Sequence, residues 1–403
     1  MKSQVCVLGA LAFVAIASSQ EQNPTNSLHK EKRIPLSLRL PNPRPRDDPI
    51  VCPCADTTLC EVVSHKPDRE IFGFDTFAQW NEGKGYDFDT ITTIAWGEGG
   101  GDLICTAHAK NVRVIASTNP PRTGNQDDID SYIQATILSM KQNFYDGITF
   151  DWEDAVEGLD DPVNAIYVDV IDQTNKALKA VNPNYQTSVC AAWSPLGIDG
   201  RFYDYKSLAT ATDYLYVMCY DTRSQIFYQC VASANAPITV CQKGIQDFLE
   251  LGIPASKLIL GIPWYGYRYE CVNEDAALDN PHCELAQVPF RGVNCSDACG
   301  SQQSYSGAQA IIRDGDNGTS TKGPVWRDPY LNVQFFNYIM HNDENQTMYQ
   351  TWIDDVVSLS EIYKWVKEMN LGGTGPYTWS YLDSTGPGEQ QALDMWEALK
   401  LAI

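Results

Sequence analysis

The order of apolar segments along the chain constrains its fold more than any other feature. From residue 70 onward, eight short runs rich in β-branched and aromatic residues alternate with longer segments whose apolar residues recur at helical spacing. The runs cover residues 70–76, 90–98, 112–118, 146–153, 186–194, 214–221, 258–267 and 373–383. Eight strands that alternate with helices predict an α/β fold, the closed (β/α)8 or TIM barrel. An open doubly wound sheet is the alternative, but no glycine-rich phosphate loop follows the first run.

One interval interrupts this alternation between the seventh and eighth runs. Residues 268–350 contain four cysteines, three Asn-X-Ser/Thr sequons and little helical periodicity. We therefore predict one barrel domain over residues 50–403, with an insertion at about 268–350 after the seventh strand. The sequons at Asn294, Asn317 and Asn345 predict glycosylation, and hence a surface location for the insertion.

The first residues have the pattern of a secretory signal peptide. Lys2 precedes an apolar stretch that is too short to span a bilayer, and small residues follow it. We predict a signal peptide over residues 1–19 and a flexible basic leader or propeptide over residues 20–49, with an uncleaved signal anchor as the alternative. No later run reaches the roughly 18 apolar residues of a membrane helix, so we expect a protein of the secretory pathway that does not span a membrane.

Cysteine usage agrees with an oxidising compartment. Of the 13 cysteines, Cys6 lies in the predicted signal, and the even number that remains predicts disulfides whose pairing the sequence leaves open. A zinc site at Cys52, Cys54 and Cys60 is the alternative, but it lacks a second pair of ligands. We therefore expect neither a metal nor another cofactor.

The formal charge of −22 bears on the partners of the protein. So acidic a chain is not expected to bind nucleic acid or an anionic membrane surface. A neutral substrate or an acidic compartment suits the charge better, although solubility alone would also account for it.

The run "DGITFDWE" carries acidic groups where a buried strand normally has none. In a barrel strand, Thr149, Asp151 and Glu153 would face the barrel axis, with the two carboxylates roughly 7 Å apart at the carboxyl end. Two carboxylates at so short a distance repel each other. One of them therefore keeps its proton near neutral pH and can protonate a leaving group. The alternative is that both acids begin a loop and meet only solvent or a helix N-terminus.

Other predicted strands end in residues that would meet at the same barrel mouth. Aromatic faces suit the apolar faces of sugar rings while acids bind hydroxyls, so the set predicts a carbohydrate site, although each member alone could be a packing residue. The set comprises Trp193 after the fifth run, Met218, Tyr220 and Asp221 after the sixth, Trp264 and Tyr265 after the seventh, and Trp379 after the eighth.

Several of these motifs together resemble one enzyme family. "DGITFDWE" resembles the DxxDxDxE signature of glycoside hydrolase family 18, "MCYD" resembles its strand-six MxYD, and Trp379 matches its strand-eight tryptophan. "AAWSPLGIDGR", "GIPWYGYRYECVN" and "VPFRGVNCSDACG" are similar to the exo-acting chitobiase branch of that family, and the resemblance covers roughly residues 51 to 400.

This resemblance implies a substrate and a compartment. The expected enzyme cleaves β-1,4 bonds between N-acetylglucosamine units of chitobiose-type oligosaccharides from the reducing end, as a monomer in the lysosomal lumen, with the extracellular space as the alternative. An endo-acting chitinase and a catalytically weak lectin that binds chitin or other glycans are the alternative functions.

The resemblance also implies a retaining, substrate-assisted mechanism in which the sugar's own 2-acetamido oxygen attacks the anomeric carbon. Glu153 would be the general acid and then the base, and Asp151 would orient the acetamido group. Tyr220 would donate a hydrogen bond to the acetamido carbonyl. Trp379 would form the floor of the sugar site, and Asp221 would bind a hydroxyl or support the distorted ring.

Two further motif positions are expected to be structural. Asp146 matches the first acid of the signature, whose implied role is to fix the fold of the strand. The middle acid of the signature is replaced by Thr149, so two aspartates cannot share a proton in the usual way. Thr149 can still hydrogen-bond Asp151, which predicts an active enzyme with a modified pH profile.

Overall fold

The computed structural model describes residues 49–76, 80, 85–96, 100–222, 229–314 and 319–403. The predicted signal peptide, nearly all of the predicted leader and the sequon at Asn317 lie outside these ranges. Within the ranges, no helix combines the length and the apolar character needed to cross a membrane.

Thirteen strands form in the described part of the chain, eight in a barrel and five in a second sheet. They are β1 (Glu70–Phe74), β2 (Thr93–Ala95), β3 (Arg113–Thr118), β4 (Gly147–Phe150), β5 (Gln186–Ala192), β6 (Tyr214–Met218), β7 (Leu258–Pro263), β8 (Tyr265–Glu270), β9 (Ser301–Ser304), β10 (Ser320–Arg327), β11 (Gln334–Met340), β12 (Met348–Ile353) and β13 (Gly373–Tyr377).

The barrel is closed and parallel, as the sequence predicts. Strands β1 to β7 follow one another around it in chain order, and β13 pairs with both β7 and β1 to complete the ring. Each of the eight predicted runs contains one of these strands. The carboxyl ends of all eight therefore meet at a single mouth, where catalytic residues of such barrels are found.

Helices pack outside the barrel, and local sequence sets where several of them begin. The side chain of Asp161 caps the N-terminus of α3, whose first residue is proline, and Asp355 with Ser358 forms a capping box at α7. The helices are α1 (Gly100–His108), α2 (Gln126–Asn143), α3 (Pro162–Val181), α4 (Tyr205–Ala211), α5 (Ile238–Glu250), α6 (Tyr305–Asp314), α7 (Val356–Glu368) and α8 (Glu389–Leu399).

A five-stranded antiparallel sheet separates β7 from β13 in the chain. Its strands lie in the order β10-β11-β12-β8-β9. The run 258–267, predicted as one strand, is divided, because β7 ends at Pro263 and β8 begins the second sheet at Tyr265. The sheet thus extends beyond the interval 268–350 at both ends. Since it grows from the carboxyl end of β7, it stands beside the barrel mouth.

Large side chains fill the barrel interior, so the barrel is a packed core with no open channel. Phe72, Phe74, Ile115, Cys190 and Tyr216 come from strands on opposite sides of the barrel and pack in one cluster. The rings of Phe74 and Tyr216 lie 4.8 Å apart near the mouth. Any ligand must therefore bind above this aromatic layer.

Five disulfides link ten of the described cysteines, as expected for an exported protein. All three cysteines of the alternative zinc site are oxidised, so they are not available as thiolates for a metal. Cys190 forms no disulfide and is a buried thiol in the barrel interior. The pairs are Cys52–Cys60, Cys54–Cys105, Cys219–Cys241, Cys230–Cys295 and Cys271–Cys283.

Candidate active site

Asp146 lies at the amino end of β4, on the barrel face opposite the mouth. Its carboxylate is fully buried and accepts hydrogen bonds from the backbone N–H groups of Val63 and Val114, both at 2.8 Å. Nε2 of His108 lies 2.8 Å from the same carboxylate, and Nδ1 of His108 lies 2.6 Å from the Leu59 carbonyl oxygen. Asp146 therefore fastens the segment before β1 to the base of the barrel.

His108 is protonated in this arrangement. A carbonyl oxygen can only accept a hydrogen bond, so the nitrogen facing Leu59 must donate, and the nitrogen facing Asp146 donates to a carboxylate. Burial alone would lower the pKa of His108, but the hydrogen bond and the charge of Asp146 raise it above its ordinary value. The result is a buried ion pair at the base.

Asp151 follows β4 directly and lies at the mouth. Its Oδ1 atom is buried and has no hydrogen-bond partner among the described residues. Burial, and then the nearby charge of Glu153, raise the pKa of Asp151 to about 7. The sequence predicted that one of these two acids would keep its proton, and the environment of Asp151 favours a proton there.

Thr149 is buried inside the barrel below Asp151. The expected hydrogen bond between Thr149 and Asp151 does not form. The Thr149 hydroxyl lies 3.5 Å from Sγ of Cys190 on β5. The Cys190 thiol also lies near Asp151, and its interaction with the carboxyl opposes the rise of the Asp151 pKa. Cys190 was missed from the sequence because it was counted among the cysteines expected to form disulfides.

Glu153 lies two residues beyond Asp151, and its side chain is 55% exposed. Its Oε2 atom accepts a hydrogen bond of 3.0 Å from Nη1 of Arg201 in the loop after β5. The guanidinium of Arg201 is itself buried and also bonds Asp199. Arg201 is the last residue of the "AAWSPLGIDGR" motif, but the motif gave it no role, because a single basic residue in a loop has no characteristic spacing.

Tyr220 lies at the mouth, just beyond the end of β6. Strand β6 stops at Met218, which packs together with Tyr220 above the barrel interior. The ring of Tyr220 lies 5.4 Å from that of Tyr377 and 6.1 Å from that of Tyr265. Burial raises the pKa of Tyr220 well above its ordinary value, so its hydroxyl keeps its proton and remains a donor.

Asp221 turns beside Tyr220 with a left-handed backbone, φ 51°. Its backbone N–H donates to Oδ1 of Asn235 at 2.7 Å, and the Tyr265 hydroxyl donates to its carboxylate at 2.6 Å. Burial raises the pKa of Asp221 to about 6, which the Tyr265 hydrogen bond opposes. Tyr265 is only 1% exposed. Its predicted contact with a substrate is therefore wrong, and it acts through Asp221.

The predicted contacts of Trp264 and Trp379 with a substrate are wrong, because these side chains are 1% and 0% exposed. Both indoles pack between the barrel and the outer helices. Nε1 of Trp264 donates to the Tyr363 hydroxyl on α7 at 3.1 Å, and Trp379 stacks on Trp396 of α8 with ring centroids 5.2 Å apart. They stabilise the outer layer.

Trp193 also lies away from the acids. It is half-buried in the hydrophobic layer outside the strands, and its backbone carbonyl approaches α5 so closely that only a glycine, Gly244, fits there. Its indole N–H is buried without a hydrogen-bond partner among the described residues. The structure therefore does not bring Trp193 into the mouth cluster.

Tyr377, the last residue of β13, occupies the place expected for Trp379. Its ring lies 5.9 Å from those of Phe74 and Trp96, on top of the packed interior. Burial raises the pKa of Tyr377, and the charges of Asp151 and Asp221 raise it further. In "PYTWSY" the sequence offers three aromatic residues and does not show which one ends the strand.

The mouth can therefore perform acid–base chemistry on a neutral ligand. It combines one exposed carboxyl, two buried carboxyls whose pKa values are raised, a protonated phenol and an aromatic floor. The four polar members are Glu153, Asp151, Asp221 and Tyr220.

Comparisons with known proteins give the following matches. Residues 115–381 match the model of "Glycosyl hydrolases family 18". A "Probable di-N-acetylchitobiase 2" of Dictyostelium discoideum is 37% identical over 358 residues, which cover 86% of this chain and 90% of the relative. The "Di-N-acetylchitobiase" of Homo sapiens is 35% identical over 359 residues, which cover 87% of this chain and 88% of the relative.

Solved structures share the fold at lower sequence identity. A class V chitinase from Nicotiana tobaccum superimposes with a TM-score of 0.62 and 15% identity, and the match covers 83% of this chain and 100% of that one. YKL-39, solved in the presence of chitooligosaccharides (GlcNAc4), also gives a TM-score of 0.62 at 15% identity, over 83% and 99% of the two chains.

Proposed function

The chain belongs to glycoside hydrolase family 18 and is a glycosidase of the chitin type, and from that premise we propose its substrate and mechanism. We propose that it cleaves β-1,4 bonds between N-acetylglucosamine units of chitobiose-type oligosaccharides and releases one sugar from the reducing end. Two relatives called di-N-acetylchitobiase, matched over most of their length, support this substrate. The observation that carries the mechanism is the pairing of Glu153 with Asp151 at the mouth.

In the first step Glu153 acts as the general acid. The substrate's 2-acetamido oxygen attacks the anomeric carbon, the bond to the bridging oxygen breaks, and the Glu153 proton passes to that oxygen. In the second step the Glu153 carboxylate takes a proton from water, which attacks the anomeric carbon and restores the acetamido group. The exposed position of this side chain allows it to reach both the bridging oxygen and water.

Asp151 and Tyr220 would act on the acetamido group. The unpartnered Oδ1 of Asp151 is an acceptor ready for the acetamido N–H, and in its ionised form, which a pKa of about 7 leaves accessible near neutral pH, Asp151 stabilises the positive charge that develops on the ring-closed intermediate. Tyr220, whose hydroxyl keeps its proton, would donate to the acetamido carbonyl. Asp221 would bind a sugar hydroxyl while Tyr265 holds it in place.

Tyr377 would form the floor under the reacting sugar, with Met218 beside it. A phenol ring above the packed interior offers an apolar face to the sugar ring. This role replaces the one expected for Trp379, which is fully buried.

The disulfides fit the secretory pathway, and within it we propose the lysosomal lumen, with secretion to the cell exterior as the alternative. Asn294 and Asn345 are exposed and would carry glycans there. We propose that the enzyme works as a monomer on soluble oligosaccharides, without a nucleic acid or membrane partner.

Chitotriose labelled at its reducing end tests the proposal. The enzyme is expected to release labelled monosaccharide, whereas release of labelled disaccharide would favour an endo-acting chitinase. Glu153→Gln should lower kcat on the order of 100-fold or more while the sugar still binds, because only proton transfer is lost. Glu157→Gln, an exposed change in the same loop, is the matched control and should keep full activity. Full turnover by Glu153→Gln would remove Glu153 from the mechanism, and sugar binding without turnover in the unmodified protein would favour the lectin.

A further inference from the structure

We propose that Arg201 is a positioning residue for the general acid Glu153, and that Asp199 limits how strongly the Arg201 guanidinium holds that carboxylate. The inference deepens the proposed function and rests on it, because it takes Glu153 as the group that gives up its proton.

The geometry around Arg201 is that of a built charge cluster. The side chain of Arg201 is 8% exposed, although the carboxyl that it holds is largely in solvent. Nη1 donates to Oε2 of Glu153 at 3.0 Å, and Nη2 donates to Oδ2 of Asp199 at 2.8 Å. Its Nε is buried without a partner among the described residues. A planar guanidinium can bridge two carboxylates in this way, whereas an ammonium cannot present the same fork.

The two loops that carry these groups are joined by their backbones. Val156, in the loop after β4, pairs with Arg201 as a parallel bridge, and its N–H donates to the carbonyl of Gly200 at 2.7 Å. From the loop between β8 and β9, the Arg291 guanidinium donates to the carbonyl of Asp199. The backbone that carries Arg201 is therefore fixed from both sides, and the exposed Glu153 side chain is held by its bond to Arg201.

This fixed cation gives Glu153 a defined place. An exposed glutamate alone would populate several rotamers, and a small misplacement of a catalytic group costs on the order of 100-fold in rate. The cation also helps the first step, because negative charge appears on Glu153 as its proton leaves and the guanidinium stabilises that charge where it develops.

The same cation has a disadvantage, which Asp199 reduces. A general acid must carry a proton before the first step, and an uncompensated cation beside a carboxyl favours its ionised form. Asp199 shares the guanidinium and offsets part of its charge, so that Glu153 is held without a full positive charge beside it.

Arg201 also lowers the pKa of Asp151, and the other neighbours of this cluster are acids or neutral phenols. The phenols of Tyr203, Tyr205 and Tyr377 keep their protons, since burial raises their pKa values. Arg122, on a neighbouring loop, is already paired with Asp154 at 2.6 Å. The charged and titratable groups around Glu153 are Asp151, Asp199, Arg201, Tyr203, Tyr205, Asp221 and Tyr377.

Three variants test the proposal through the pH dependence of kcat/KM on chitotriose. Arg201→Met should lower kcat by about 10- to 100-fold and move the alkaline limb of the profile to higher pH, because the opposing cation is gone. Asp199→Asn should move the same limb to lower pH, because the whole guanidinium charge then acts on Glu153. Arg201→Lys keeps the charge but not the fork, so kcat should fall about 10-fold while the limb stays near its original place.

Limb shifts in opposite directions are the signature of this role. A purely structural role for Arg201 would lower the melting temperature and the yield of active enzyme without moving the limb, and that result would overturn the proposal. Limbs that shift in the same direction would also overturn it. If Arg201→Met does not fold, the pH profiles of Arg201→Lys and Asp199→Asn still test the proposal. Loss of activity in Glu153→Gln together with an unchanged profile in the Arg201 and Asp199 variants would refute only the positioning role, whereas full activity in Glu153→Gln would refute the proposed function as well.

Discussion

Asp146 and Asp151 lie at opposite ends of β4, and the same side chain has different hydrogen-bond partners at the two ends. At the base, both oxygens of Asp146 are bonded, to two backbone N–H groups and to a protonated His108. At the mouth, Oδ1 of Asp151 is buried without a partner, and its pKa is raised to about 7. Burial is common to both, so the difference lies in the hydrogen bonds.

This difference separates a structural acid from a reactive one. A buried carboxylate whose bonds are all made is stable as an anion and has no capacity left for a substrate. A buried carboxyl with an open acceptor is costly for the fold, but it can bind an N–H group that a ligand brings. One strand thus carries a structural aspartate at its base and a reactive aspartate at its mouth.

The largest expected effect is on stability, from Asp146→Asn. The amide group cannot accept from both Val63 and Val114, and it leaves the His108 cation buried without a counter-charge. We expect a loss of about 3 to 5 kcal/mol in the free energy of unfolding, measured by urea denaturation. An unchanged denaturation midpoint would show that the bonds at the base do not stabilise the barrel.

The same substitution at the other end of β4, Asp151→Asn, should lower activity and not stability. We expect kcat to fall by about 100-fold or more, because the negative charge that stabilises the ring-closed intermediate is lost. The free energy of unfolding at about pH 8 should not fall, because a neutral amide is easier to bury than an ionised carboxylate. A stability loss as large as that of Asp146→Asn would erase the distinction between the two ends.

The smallest expected effect is a pH dependence of stability. Burial raises the pKa of Asp151 and of Asp354 to about 7 and that of Asp221 to about 6, and the pKa of His108 is also raised. Each group binds its proton more tightly in the folded than in the unfolded chain, so its stabilisation is present at low pH and is lost as pH rises through its folded pKa.

The melting temperature should therefore be several degrees higher at about pH 5 than at about pH 8. Scanning calorimetry at the two pH values measures this difference. Asp151→Asn should show a smaller difference than the unmodified protein, because one of the contributing groups is removed. A melting temperature that rises with pH would contradict the assigned directions.

The barrel was predictable because hydrophobic periodicity reports which residues are buried. All eight runs contain a barrel strand, and the alternation within β4 places Thr149 inside and Phe150 outside, as expected. Where a strand leaves one sheet for another, periodicity gives no signal. This is why the break at Trp264, between β7 and β8, was missed.

The site was predictable only where chain neighbours determine it. The closeness of Asp151 and Glu153 follows from their spacing just beyond the end of one strand. The contact of Arg201 with Glu153 joins two different loops, and the contact of Cys190 with Thr149 joins two different strands, so spacing along the chain does not predict either contact. Trp379 was misplaced because aromatic residues near a strand end look equivalent until the packing against α8 is known.

The two disulfides of the segment before β1 have a practical consequence. Cys52–Cys60 and Cys54–Cys105 hold that segment along α1, and the Val63 bond to Asp146 fixes its end at the face opposite the mouth. A solid support joined through the exposed Lys66, which follows Val63 at the base, would therefore lie below the barrel. Oligosaccharides would then approach the immobilised enzyme from the free side without obstruction.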